Sequence, residues 1–184
     1  MKDQNFEVIV AGFGGQGVLF AGNLLAQAAM EEGFNVTYLP EYGPEMRGGT
    51  CHCTVVISKG EIASPVVNKV KGAIFLNFPS FQKFLPRLIK KGYMVVNSSL
   101  IPREFLPGTN GFRVAALPLQ ELAQKIGSDR LINLIALGAF VRLTRIVSPE
   151  NLLKSLKKIL PSRYRDLLPA NQLAFKLGLS FAGG

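Results

Sequence analysis

The chain has 184 residues, of which 48% are hydrophobic and 18% charged, with a formal net charge of +9. This composition is typical of one ordered globular domain over residues 1–184, long enough to bury a core. It excludes a transmembrane protein, because no apolar run approaches roughly 18 residues, and a disulfide scaffold, because there are two cysteines.

The N-terminal part predicts a strand, a helix and a second strand. Phe6 to Ala11 is a short apolar run that ends at Gly12, as in a buried strand. Val18 to Glu32 has helical periodicity with small residues on one side, and Gly33 ends it. Asn35 to Leu39 completes a β-α-β unit of the size expected for a nucleotide-binding half.

The remainder alternates strands and helices. The sequence CHCTVVISKGEIASP predicts a strand that runs into a hairpin at Lys59-Gly60. Ser148-Pro149-Glu150 is a helix start, with an N-cap serine and proline at the first helical position. The other predicted elements are strands at Ala73–Asn77, Tyr93–Asn97 and Phe112–Leu117 and a helix from Pro79 to Lys91, closed by Gly92. The pattern predicts an α/β fold, a three-layer Rossmann-like domain with a mostly parallel sheet and a helical C-terminal part.

The first loop has the G-x-G-x-x-G spacing of phosphate-binding loops. In that pattern Gly12 makes the tight turn, Gly14 lets the backbone approach a diphosphate, and Gly17 permits close packing of helix on strand. The helix that follows directs its free N–H groups at an anion. The candidate binding residues are Gly12, Gly14, Gly15, Gln16 and Gly17. A tight turn that binds nothing would have the same pattern.

The second loop, EYGPEMRGG, follows the second predicted strand and is expected beside the first loop, where open α/β sheets bind ligands. Arg47 offers a planar fork of donors suited to phosphate or carboxylate, and the two glycines after it allow close approach. The candidates on this loop are Tyr42, Arg47, Gly48 and Gly49. A surface turn in which Arg47 pairs with Glu45 or Glu41 is the alternative.

No catalytic group and no metal site is predicted. On a strand, Cys51 and Cys53 share one face and His52 points to the other, which disfavours a metal site. His52 has no evident partner for nucleophilic catalysis. Binding of NAD would require an acidic side chain after the second strand to hydrogen-bond the ribose. Glu41 is a poor candidate for this role because it follows Pro40. The basic residues are scattered without an aromatic stacking motif, so nucleic acid is not an expected partner.

The two loops together resemble the gamma subunit of 2-oxoacid:ferredoxin oxidoreductases. The similar segments are GFGGQGVLFAGNLLAQAA, YGPEMRGGTCHCTVVIS and IASPVV, with further matches at Asn133, Ala136-Leu137-Gly138, Asn171, Ala174-Phe175 and Gly178. The resemblance is greatest to the 2-oxoglutarate enzyme, and the pyruvate, branched-chain and indolepyruvate versions are similar.

The resemblance implies a cytoplasmic complex that oxidatively decarboxylates a 2-oxoacid, transfers the acyl group to CoA and passes electrons to ferredoxin. It implies that thiamine diphosphate and the iron–sulfur clusters are held mainly by alpha and beta subunits, and a delta subunit where there is one. This chain would be inactive alone and would help to form a shared CoA site.

Further expectations concern partners. Apolar surface predicts a homo-oligomer when the chain is isolated. The start of the chain does not have the pattern of a signal peptide, and no membrane partner is expected. Two other functions stay open, namely a stand-alone nucleotide-dependent oxidoreductase and an architectural subunit whose glycine loops only pack.

Overall fold

A computed structural model describes residues 5–42, 50–106 and 111–181. Within these ranges a six-stranded sheet has the order β2-β3-β1-β4-β5-β6. The strands are β1 Phe6–Phe13, β2 Asn35–Tyr42, β3 Thr50–Ser58, β4 Val70–Phe75, β5 Leu88–Asn97 and β6 Arg113–Leu117. β1, β4, β5 and β6 pair in parallel, and β3 is antiparallel to both β1 and β2. The predicted α/β fold with a mostly parallel sheet is confirmed.

Helices cover one face of this sheet more fully than the other. The α-helices are α1 Val18–Glu31, α2 Phe78–Phe84, α3 Leu119–Lys125, α4 Ile132–Thr144, α5 Pro149–Ile159 and α6 Leu168–Ser180. The main core lies between the sheet and α1 and α4, with α5 packed on α1 and α6 on α4. A smaller core lies under α2 on the opposite face. Among the described residues, no helix has the length and apolarity that crossing a bilayer requires.

Local signals placed α1 and α5 correctly. The Ser148 side chain accepts a hydrogen bond from Asn151 N at 3.2 Å, and Pro149 opens α5. Gly33 follows α1 with a φ of 81°, a conformation that favours glycine. On the inner side of α1, a Cβ at Gly22 would lie closer than 3.0 Å to Cys53 Sγ, so the small residues do let the helix lie close on the sheet.

The hairpin predicted after β3 is wrong, because β3 forms its hairpin with the preceding strand. β2 extends to Tyr42, and Glu41 pairs with His52 in the antiparallel ladder. Pro40 is tolerated within β2 because this strand is at the sheet edge, where one side of its backbone needs no partner. Beyond Ser58 the chain leaves the ladder and returns as β4, parallel to β1.

The long helix predicted over 79–91 is also wrong. α2 ends at Phe84, a 3-10 turn follows over Leu85–Arg87, and β5 begins at Leu88. Pro86 lacks an N–H and disfavours the helical conformation of the residue before it, which explains the early end. The strands predicted at 73–77, 93–97 and 112–117 correspond to β4, β5 and β6, with ends displaced by up to five residues.

Candidate functional site

The glycine loop joins β1 to α1 at the carboxyl edge of the parallel strands. Gln16 N donates to Phe13 O at 3.2 Å and closes a turn in which Gly14 and Gly15 are exposed. Gly17 is the N-cap of α1, and the first helical hydrogen bond runs from Ala21 N to Gly17 O at 3.0 Å. The three N–H groups before Ala21 therefore stand at the positive end of the helix dipole without an intrahelical acceptor.

Gly12 has a different role from the predicted one. It lies within β1 and pairs with Cys51 of β3, so it does not make the tight turn. A Cβ at this position would lie 2.7 Å from Gln16 Oε1 and 2.9 Å from Val18 Cγ2. Gly12 is thus needed for close packing of the loop over the strand.

Gln16 connects the glycine loop to the turn between β4 and α2. Its Oε1 accepts hydrogen bonds from Phe13 N at 2.7 Å and from Asn77 Nδ2 at 3.0 Å. Asn77 is buried, and its Oδ1 caps α2 by accepting from Ser80 N at 2.9 Å. The sequence predicted Gln16 as a site residue but missed Asn77, for which the N-cap pattern Asn-Phe-Pro was an available signal.

Asn133 of α4 holds the first turn of α1 from the other side. Its Nδ2 donates to Gly17 O at 3.1 Å, and a Cβ at Gly17 would lie closer than 3.0 Å to the same nitrogen. The close approach at Gly17 is therefore to another helix, not to the strand as predicted. Asn133 Oδ1 is buried and has no hydrogen-bond partner among the described residues.

The neighbouring strand ends carry a buried amide and an aromatic pair. Asn97, at the end of β5, donates to Leu76 O at 3.0 Å and accepts from Ser99 N at 3.2 Å. Phe78 and Phe105 lie with ring centroids 4.7 Å apart, and Phe105 is half exposed. The edge beside the glycine loop thus has fixed amides and an open aromatic surface.

The second predicted loop is only partly described. Tyr42 is the last residue of β2, whereas Arg47, Gly48 and Gly49 lie outside the described residues. β3 lies between β1 and β2, so the expectation that the two loops leave adjacent strands is wrong. Both strands nevertheless end at the same edge, about 10 Å apart at two strand spacings.

His52 has a partner that sequence reasoning missed. Its Nε2 lies 3.0 Å from Glu41 Oε2, and its ring centroid lies 4.4 Å from that of Phe84. Burial lowers the pKa of His52 from its ordinary value, while Glu41 acts in the opposite direction. Cys51 and Cys53 share one face of β3 and His52 lies on the other, as predicted; the cysteines face the α1 side and His52 the α2 side. Burial raises the pKa of the Cys53 thiol to about 12, so that thiol is not a nucleophile near neutral pH.

These residues fit an anionic ligand better than a cluster or metal. The chain has two cysteines, and the described residues contain no group of three or more His, Cys, Asp or Glu side chains placed to hold a metal ion. An iron–sulfur cluster needs about four such ligands. Exposed glycine backbone at a helix N-terminus, by contrast, suits phosphate.

Known sequences are similar to this chain over most of its length. The sequence profile described as pyruvate ferredoxin/flavodoxin oxidoreductase matches residues 7–181. Ketoisovalerate oxidoreductase subunit VorA of Methanothermobacter thermautotrophicus is 40% identical over 136 residues, which are 74% of this chain but 28% of that protein. 2-Oxoglutarate synthase subunit KorC of Methanocaldococcus jannaschii is 31% identical over 178 residues, 96% of this chain and 93% of that protein. The chain thus spans less than a third of VorA but nearly all of KorC.

Two solved structures have the same fold. The gamma subunit of a keto/oxoacid ferredoxin oxidoreductase from Geobacter sulfurreducens superposes with a TM-score of 0.79 at 30% identity, covering 94% of this chain and 95% of that chain. A 2-oxoglutarate:ferredoxin oxidoreductase from Magnetococcus marinus, solved with 2-oxoglutarate, coenzyme A and succinyl-CoA bound, superposes with a TM-score of 0.84 at 21% identity. It covers 98% of this chain and 32% of that one, and its likeness is one of fold.

Proposed function

The chain belongs to the pyruvate ferredoxin/flavodoxin oxidoreductase family, and on this premise we propose that it is the gamma subunit of a 2-oxoacid:ferredoxin oxidoreductase. The complex converts a 2-oxoacid and CoA to acyl-CoA and CO₂ and passes the electrons to ferredoxin. The observation that carries the proposal is the match over almost the full length of two separate subunits, KorC and the Geobacter gamma subunit. The 2-oxoglutarate enzyme is the preferred assignment.

Within that complex, the glycine loop contributes to the CoA site. Gly14 and Gly15 are exposed, and a Cβ at Gly15 would meet nothing within 4 Å, so the backbone there is open to a ligand. The N–H groups of the first turn of α1 face the diphosphate of CoA. We propose that Tyr42, and Arg47, Gly48 and Gly49 that follow it in the sequence, also contact CoA, since β2 ends at the same edge of the sheet.

The chain binds and orients CoA, while partner subunits carry the redox chemistry. Thiamine diphosphate, when bound by the alpha and beta subunits, supplies the decarboxylation chemistry. The iron–sulfur clusters belong to those subunits, or to a delta subunit, because this chain has too few cysteines to hold them. His52 and Cys53 are buried on β3 and move no proton in the reaction.

Two features disfavour the alternative functions. For a stand-alone NAD enzyme, Glu41 would have to bind the ribose, but it pairs with His52 and is separated from the glycine loop by β3. For a purely architectural subunit, each loop glycine should be needed for packing. Gly12 and Gly17 are needed for packing, whereas Gly15, whose φ of 94° favours glycine, packs against nothing and leaves its backbone exposed.

Reconstitution tests the assignment. The purified chain should be colourless and inactive, and 2-oxoacid-dependent dye reduction should require it together with the alpha and beta subunits. Activity of this chain alone, or full activity of the complex without it, would refute the gamma assignment. A panel of 2-oxoglutarate, pyruvate and ketoisovalerate identifies the substrate.

The CoA role has its own test in the assembled enzyme. Loss of a charge-assisted phosphate contact costs about 1.5–3 kcal/mol, so Arg47→Ala should raise the KM for CoA about tenfold or more. The rate of decarboxylation of the 2-oxoacid, measured without CoA, should change far less. Lys59→Ala removes a positive charge just after β3, at the opposite edge, and serves as the control. An unchanged KM in an intact complex would leave the second loop without a role in CoA binding.

A further inference from the structure

The helices α5 and α6 lie side by side as antiparallel neighbours on the outer surface. α5 packs on α1 and α6 packs on α4, and the two helices contact one another only marginally. The start of α5 and the end of α6 line one cavity, and the end of α5 and the start of α6 line another. The two cavities therefore lie at opposite ends of α5, and we call the surface that joins them the α5–α6 groove.

The two cavities have the same chemistry. The first, of about 410 Å³, has an apolar floor that includes Val141 and Val147 and a rim with Arg142 and Arg145. The second, of about 370 Å³, is lined by Leu160, Leu168, Lys157 and Arg165. We call them the Arg142 cavity and the Lys157 cavity. Each would take an apolar side chain flanked by an acidic group.

The four cations of the rims have no carboxylate partner among the described residues. The ion pairs found there are His52–Glu41, Lys71–Glu7 and Lys158–Glu31. Glu32 lines the Arg142 cavity, but its Oε1 already accepts from Ser148 N and, at 3.3 Å, from Asn151 Nδ2. Residues 142–176 carry eight Lys and Arg against two Asp and Glu. The surface is therefore strongly positive and complementary to an acidic partner.

We propose that the α5–α6 groove binds an acidic segment of a partner subunit, with one apolar side chain in each cavity. The eleven residues of α5, at about 1.5 Å each, place the cavities about 16 Å apart. Three turns of an amphipathic helix span this distance. The inference rests on the proposed function, because the partner is another subunit of the complex.

The position of the groove is compatible with an open CoA site. α4 begins beside Gly17 at the glycine loop and ends at the Arg142 cavity. Its thirteen residues span about 20 Å, so the Arg142 cavity lies well away from the carboxyl edge of the sheet.

The test measures association of the immobilised chain with the purified alpha and beta subunits. The charge reversal Arg142→Glu/Arg145→Glu alters exposed side chains and should weaken association at least tenfold, more at low salt than at high salt. The control, Lys90→Glu/Lys125→Glu, changes the net charge equally on exposed positions of β5 and α3 and should leave association unchanged. Circular dichroism confirms that both variants fold.

Lysine acetylation of the unsubstituted protein gives an independent measurement. Lys157 should become protected on assembly, whereas Lys125 should stay reactive. Unchanged association of the folded reversal variant, with Lys157 still reactive in the complex, would overturn the groove assignment. A changed KM for CoA with normal association would show a small-anion site instead and also overturn it. Failure of the unsubstituted chain to bind either subunit would refute the gamma assignment, and the groove inference with it.

Discussion

Two uncharged amide side chains hold the glycine loop between them. Gln16 accepts from the loop backbone and from Asn77, and Asn133 donates to Gly17 O. An amide satisfies backbone groups without adding a charge that would repel or compete for a phosphate. At this end of α1, the attraction for an anion therefore comes from backbone dipoles. This suits a site to which other subunits add charged side chains.

Gly17 is needed for two reasons, and a matched pair of variants separates them. Gly17 and Gly33 have φ values of 74° and 81°, so alanine at either should cost about 1–2 kcal/mol of backbone strain. Only at Gly17 would the new Cβ collide with Asn133. Gly17→Ala should therefore destabilise the chain more than Gly33→Ala in urea unfolding. Equal losses of stability in the two variants would mean that the Asn133 side chain moves away from the new Cβ at little cost.

His52 should make stability depend on pH. Burial lowers its pKa below the ordinary 6.5, so below about pH 6.5 the unfolded chain binds the proton before the folded chain does. The stability contributed by neutral His52 is thus fully present above that pH and is lost as the pH falls.

The measurement compares urea unfolding of the unsubstituted chain and of His52→Gln across this range. The stability of the unsubstituted chain should fall relative to the variant between about pH 7 and pH 5. The carboxyl groups of Glu31 and Glu121, whose pKa values are lowered by hydrogen bonds, titrate in both proteins and cancel in the comparison. Parallel pH profiles would contradict a lowered pKa for His52.

At the scale of elements, α4 and α6 meet at two glycines. A Cβ on Gly138 would lie closer than 3.0 Å to Phe175 O, and one on Gly178 would lie equally close to Ile135 O. Both obstacles are backbone atoms, which cannot rotate away. The helix axes are therefore held closer together than side chains at these positions would allow.

This contact predicts a reversal of the usual effect of alanine in a helix. At an exposed helical position alanine is more stable than glycine by about 1 kcal/mol, as comparison of Lys176→Ala with Lys176→Gly should show on α6. Gly178→Ala should instead destabilise the chain by about 3 kcal/mol or more. Thermal and urea unfolding measure both. A stabilising Gly178→Ala would show that the two helices can separate at little cost.

Elements with local signals were predictable from the sequence, and those set by distant contacts were not. The capped start of α5 and the glycine end of α1 were placed correctly because each signal lies within a few residues. The position of β3 between β1 and β2 was missed because it depends on pairing between β3 and β1, two strands that are distant in sequence. In the candidate site, Gln16 and Gly17 were found from loop spacing, but the role of Asn133 depends on a contact between positions 116 residues apart.

At the scale of the whole molecule, large apolar side chains remain on the surface. In the part of the chain that the structure describes, the most exposed are Met30, Val66, Phe105, Leu167 and Leu173, each at least half exposed. The isolated chain should therefore self-associate to a dimer or larger, and added alpha and beta subunits should dissociate these assemblies. Sizing chromatography with light scattering over a concentration series measures both effects. A monomer at every concentration would contradict the expected self-association.

The strand order also has a consequence for biosynthesis. β1 is made before both of its neighbours, β3 and β4, and before Asn133, which comes later still. At roughly 5–20 residues per second, the nascent apolar segment waits on the order of seconds for a partner strand. Pairings so distant in sequence are slow to form, and an unpaired strand is prone to aggregate. The soluble yield of the recombinant chain should accordingly improve with slower translation at low temperature and with extra chaperone capacity.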